Sequence, residues 1–192
     1  MEFTKRQIEI MQAATKLIGD KGIQNLTTKN LAAEMKFSEP ALYRHFKSKT
    51  QILVSVLGFY KEILQKGIQT ILTKDSNSIT KLEEIMKFQF NHFVNNPAIV
   101  MVIFAETSYQ YDKTLSKTVL TILNQKKSMV ELIVKSGQKD GSIRKDIDAN
   151  FISSFYMGAM RFTILRWRLN DYDFDLKKEG AALWKATEKL IK

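Results

Sequence analysis

Between Thr27 and Lys49 the chain reads TTKNLAAEMKFSEPALYRHFKSK, three helix starts within 23 residues. Thr27 can cap the first by accepting a backbone N–H, and Leu31, Ala32 and Met35 mark its inward side. Residues 36–38 form a turn. Ser38 caps a second short helix with Pro40 inside its first turn, where a missing N–H breaks no intrahelical bond. Ala41, Leu42 and Phe46 pack inward there, and Ser48 can cap the third start. The exposed positions of this segment carry groups that suit DNA: Thr27, Thr28, Lys36, Tyr43, Arg44, His45, Lys47 and Lys49.

The rest of the chain has the same helical rhythm. Residues 6–19 place Ile10, Ala14, Leu17 and Ile18 on one stripe, and Gly22 ends that helix. After Ser48 a helix carries Ile52, Leu53, Val56, Leu57, Tyr60 and Leu64 and fades near Thr73. KDSNS at 74–78 reads as a loop. Leu82, Ile85, Met86, Gln89, Phe90 and Phe93 mark the next helix. The apolar run AIVMVIFA, residues 98–105, can be a buried strand by composition alone. A buried helix is the better reading, because Pro97 suits a first helical position and no convincing strand exists to pair with it. Long helices follow over 114–138, over about 149–169 behind an Asp148 cap, and over about 176–191. The helix after Asp148 is apolar on two sides, with Ile152, Phe155, Tyr156 and Ala159 on one and Phe151, Gly158, Phe162 and Leu165 on the other. Such a helix is central to a core or shared with a partner.

Composition narrows the functions. Of 192 residues, 30 are basic and 20 acidic, a net charge of +10 that favours polyanions. The first fifty residues hold +4 of it, about twice the density of the remainder. Without cysteine there are no disulfides, thiolate catalysis or cysteine-based zinc sites. Two histidines without a His-x-x-x-His spacing give no metal site, and no glycine-rich phosphate loop is present. Ser153 and Ser154 have no base nearby in sequence. Neither an enzyme nor a cofactor is expected. No segment reads as a secretory leader or a bilayer span, so the expected location is the cytoplasm, with no membrane partner.

Taken together, Arg6–Ile10, Ala13–Ala14, Leu17, Gly22, Thr27–Thr28, Leu31–Ala32, Ser38, Ala41–Leu42–Tyr43, His45–Phe46, Ser48–Lys49, Ile52 and Leu53 closely resemble the tetracycline-repressor (TetR/AcrR) family of bacterial regulators. The resemblance covers residues 6–53. It implies an all-α subunit of nine or ten helices: a three-helix helix-turn-helix DNA-binding domain, residues 1–50, then a helical ligand-binding and dimerisation domain, residues 51–192. It further implies a homodimer built on the last two long helices. Family members typically repress transcription from an operator and release it when a small molecule binds. Two positions depart from the family pattern. Lys36 stands where glycine is usual, in a turn that favours positive φ, at a cost of about 1 kcal/mol. Thr50 stands where an acidic residue is usual.

The resemblance places Glu39, Pro40, Ala41, Tyr43, Arg44 and His45 toward DNA. Arg44 can grip guanine O6 and N7. Glu39 can accept from cytosine N4 or act on the helix dipole, and Ala41 can touch a thymine methyl or pack in the core. Thr27, Thr28, Lys36, Tyr43, Lys47 and Lys49 fit phosphates, with Ser38 at the helix start. A dimer would set two recognition helices about 34–36 Å apart, which implies an inverted-repeat operator. Candidate effector contacts are Gln89, His92, Phe93, Phe104, Glu106, Tyr109, Met129, Phe155 and Arg161, although simple core packing serves the apolar ones as well. Phe151, Phe155, Gly158, Phe162, Trp184 and Thr187 are the expected dimer contacts. Two alternatives to an effector-released repressor remain at this level. One is a non-transcriptional, nucleoid-associated DNA-binding protein of the same fold. The other is an interaction adaptor that has lost operator specificity.

Overall fold

Most of the helices begin where the sequence offers a cap; those at Pro97–Ile103 and Glu106–Tyr109 start without one. In the computed structural model, which describes residues 3–192 and Thr107 by its backbone alone, Thr4 and Gln7 form a capping box ahead of α1, Lys5–Lys21. Gly22, at φ 80°, ends α1, and a single 3-10 turn follows at Ile23–Asn25. Thr27 caps α2, Thr28–Glu34, by accepting from the Asn30 N–H at 3.0 Å. Ser38 caps α3, Glu39–Tyr43, with Pro40 in its first turn. Ser48 accepts from the Gln51 N–H at 3.1 Å at the start of α4, Lys49–Leu72. The remaining helices are α5 Ser78–Asn95, α6 Pro97–Ile103, α7 Glu106–Tyr109, α8 Lys113–Asp140, α9 Ala149–Leu169 and α10 Leu176–Ile191. Among the described residues there is no strand, so the apolar run after Pro97 is a helix, with Ile99, Val100 and Val102 buried. The all-α expectation holds.

Backbone packing groups the chain differently from a linear cut at residue 50. One compact unit runs up to Glu62 and adds Asn96–Thr121; the other joins Ile63–Asn95 to Ile122–Lys192. In the first unit α1 packs on both α2 and α6. Ile10, Met11, Leu31 and Leu42 are fully buried there, and Gly19 touches Ala98 so closely that a Cβ would sit 2.7 Å from the alanine methyl. These apolar contacts hold three short helices that could not persist alone.

In the second unit α10 packs against α5 and α9. Gly180 seats the buried Phe90 ring, and the buried Tyr156 hydroxyl donates to the Leu82 carbonyl at 2.6 Å. Arg144 closes the end of α10. Its backbone N–H donates to the Ile191 carbonyl at 2.9 Å and its guanidinium to the Leu190 carbonyl at 3.2 Å, satisfying two of the carbonyls a helix end leaves unpaired.

α9 and α10 correct three of the sequence expectations. Phe151, Phe155 and Phe162 are 68%, 44% and 62% exposed, and Gly158 opens onto free space in the same stripe. Offsets of four, three and four residues put these on one helical face. Trp184 and Thr187, expected with them, are instead 3% and 1% exposed, inside the subunit's own core. They face inward with Gly180 and Ile191 along α10, so a partner subunit cannot reach them. Phe155 lies outside, which separates it from the buried effector candidates.

Candidate nucleic-acid interface and sensor residues

The α2–α3 pair is built by its turn. The Phe37 N–H donates to the Ala32 carbonyl at 2.8 Å and the Lys36 N–H to Ala33 at 3.1 Å, the two bonds of a Schellman ending. That ending requires a left-handed residue, and Lys36 supplies it at φ 56°. The strain foreseen at this position is therefore present. Lys36→Gly is expected to raise stability by about 1 kcal/mol in a denaturant titration, since glycine takes this φ freely. The same change removes an exposed cation beside the recognition helix.

Beyond α3, Tyr43 is 48% exposed, and Arg44 and Lys47 are exposed as well. Among the described residues the Arg44 guanidinium makes no hydrogen bond or ion pair, which leaves its donors available to a base or phosphate. Pro40 is exposed, while Ala41 and His45 are half-buried. Thr27 and Ser38 spend their lone pairs on caps, and their hydroxyl hydrogens can still reach phosphate.

Three of the expected DNA contacts are engaged inside the protein. The Thr28 hydroxyl donates to a Glu39 carboxylate oxygen at 2.8 Å, so Glu39 braces α3 against α2 and does not point freely outward. The Lys49 ammonium donates to the Ile23 carbonyl at 3.3 Å, and burial lowers its pKa. Lys49 thus ties the start of α4 to the 3-10 turn. No local periodicity signals either pairing, because each joins residues at least eleven positions apart.

The effector candidates are dispersed. In the first unit Phe104 and Glu106 are half-buried, and the buried Tyr109 hydroxyl donates to the Val102 carbonyl at 2.9 Å. Burial, followed by the neighbouring Glu106 charge, raises the Tyr109 pKa, so this phenol is a structural donor. In the second unit Gln89 and Phe93 are buried and His92 and Arg161 half-buried. Met129 lies elsewhere, in an open groove with Leu72, Ser76, Lys81 and Ile133 that contains none of the other candidates.

Lys126 is a residue the sequence reading missed. It lies on α8, and burial followed by the Arg161 charge lowers its pKa from 10.5 to about 8. Lys126 in turn adds to the burial that lowers His92. Basic groups from α5, α8 and α9 therefore lie within electrostatic reach of one another. A protonated Lys126 destabilises the fold. Between pH 8 and 10.5 the unfolded chain holds a proton that the folded chain has lost, so stability rises with pH across that window. Lys126→Met is expected to flatten that rise and to stabilise the protein at pH 7 by on the order of 2 kcal/mol, read from melting curves at several pH values.

The profile described as bacterial regulatory proteins, tetR family, matches residues 10–56, and the profile described as YsiA-like protein, C-terminal region, matches residues 57–190. The chain belongs to the tetR family of bacterial regulators. The nucleoid occlusion factor SlmA of Vibrio atlanticus is 20% identical over 190 residues, covering 98% of this chain and 97% of that protein. The fold matches the Bacillus subtilis regulator FadR, solved with stearoyl-CoA, at a TM-score of 0.84 and 19% identity, over 96% of this chain and 99% of that one. It matches the TetR-family regulator PfmR of Thermus thermophilus at 0.79 and 20% identity, over 94% and 97%. This is therefore a DNA-binding helix-turn-helix regulator of the TetR family, and no described helix is long and apolar enough to cross a membrane.

Proposed function

We propose that the protein is a dimeric repressor that holds an inverted-repeat operator and releases it when an amphipathic small molecule binds among α5, α8 and α9. The carrying observation is the exposed Tyr43, Arg44 and Lys47 at the far end of an α3 whose start Ser38 caps. The apolar stripe of Phe151, Phe155, Gly158 and Phe162 supports dimerisation, since an exposed contiguous apolar face of this kind is normally covered. The cations Lys126 and Arg161, within electrostatic reach of a His92 that lies against the apolar Phe93, favour a molecule with an anionic head and an apolar body. The stearoyl-CoA bound by the Bacillus subtilis FadR has that character. The repressor acts in the cytoplasm on genes close to its operator.

Adding stearoyl-CoA to the protein–operator complex tests the effector reading. Release in the micromolar range, with Lys126→Met requiring a higher concentration, is the expected result. A complex indifferent to acyl-CoA and to free fatty acid would remove this effector class. The likeness to nucleoid occlusion factors supplies the second reading, in which many dispersed sites are occupied without a small-molecule response.

A further inference from the structure

Thr50 is the position where the usual acidic residue is missing, and the structure brings a carboxylate to it from elsewhere. The Thr50 hydroxyl donates to Asp112 Oδ2 at 2.7 Å, across 62 residues of sequence. The other carboxylate oxygen of Asp112 caps α8, accepting the Thr114 N–H at 2.9 Å and the Leu115 N–H at 3.1 Å. One side chain therefore holds the first turn of α8 and the first turn of α4 together. The adjacent Lys49 binds the 3-10 turn that leads into α2. Successive residues of α4 thus reach in two directions, toward the DNA-reading helices and toward the start of α8. All of these groups lie in the first compact unit. The bond is charge-assisted, the stronger class of hydrogen bond, and it holds the Asp112 carboxyl below its ordinary pKa.

The first turn of α8 is therefore gripped through one polar side chain, and a small axial or rotational shift of that turn is passed to Thr50.

We propose that the Thr50–Asp112 pair is a strut that couples the position of the recognition helices to the first turn of α8, which makes Thr50 a positioning residue for operator binding. The proposal rests on the DNA-binding reading. Coupling of this kind is reciprocal: if α8 can shift operator affinity, then operator binding must alter α8.

Hydrogen exchange at the Thr114 and Leu115 amides, measured with and without an operator fragment enriched from genomic DNA, tests it. The wild type is expected to change exchange at these amides by about fivefold or more on binding DNA, the lower range of allosteric coupling. Thr50→Val should lose that change while melting within a few degrees of wild type, and Thr50→Ser should restore it. Asp112→Ser is the second variant: serine keeps the cap on α8 but is too short to reach Thr50, and it should behave like Thr50→Val. A wild-type complex without any change at Thr114 and Leu115, or an equal change in Thr50→Val, overturns the strut while leaving DNA binding intact. A wild type that enriches no DNA overturns the DNA-binding reading, and the strut falls with it.

Discussion

Arg44→Ala is expected to weaken operator binding at least about tenfold while the melting temperature stays at the wild-type value. A bidentate arginine–guanine contact is worth roughly 1–3 kcal/mol, and the upper half of that range exceeds one decade. Stability should not change, because Arg44 is exposed and makes no hydrogen bond or ion pair among the described residues. The loss should also depend on sequence. If Arg44 reads a base, Arg44→Ala should relax the preference at one position of each half-site and leave the others alone. A uniform loss across all sequences, together with a shallower salt dependence, would make Arg44 a phosphate contact instead. Lys47→Ala is the natural comparison, since a lysine on phosphate lowers affinity without touching specificity.

Gly180→Val is expected to destabilise the fold by about 3 kcal/mol, or roughly 10 °C in melting temperature. A Cβ at Gly180 would lie 2.0 Å from Phe90 Cδ2 and 2.4 Å from Cε2. Phe90 is only 2% exposed, so its ring has no open space in which to turn. The clash must separate α10 from α5. Gly58→Ala is the control. Gly58 lies inside α4, and a Cβ there meets no heavy atom within 4 Å, so alanine relieves the entropic penalty of a helical glycine. Stability should rise by about 0.5–1 kcal/mol. Equal destabilisation by both changes would mean that the Gly180–Phe90 contact does not organise the second unit.

Gly180 also marks the limits of the sequence. Element positions were legible because they depend on local chemistry. Thr27, Ser38, Ser48 and Asp148 sit where capping side chains are required, and Pro97 opens α6. The strained Lys36 was found through the family resemblance, in which glycine is usual at that turn, and it does take the left-handed backbone. The faces of α9 and α10 were harder to assign. Both sides of α9 are apolar, so periodicity alone could not decide which is covered by the subunit itself. On α10, Trp184 and Thr187 fall on the inner side because Gly180, one and two turns earlier, lets that side approach Phe90.

Side-chain partnerships distant in sequence left no local trace. Thr28 with Glu39, Lys49 with Ile23 and Thr50 with Asp112 are products of packing. Asp112 did carry one signal: an aspartate immediately before a helical pattern is a candidate cap. Lys126 had none, since a lysine on a long helix is usually solvated and only its neighbours on α5 and α9 make it otherwise.

The most direct test of sequence-specific regulation is to let the purified protein select fragments of its own genome, sequence them, and titrate the enriched DNA against salt. One inverted repeat is expected, with half-sites about one helical turn or a multiple apart, near one or a few promoters, and an affinity that falls steeply with salt. Broad enrichment without a shared repeat would contradict sequence-specific regulation and favour binding at many dispersed sites.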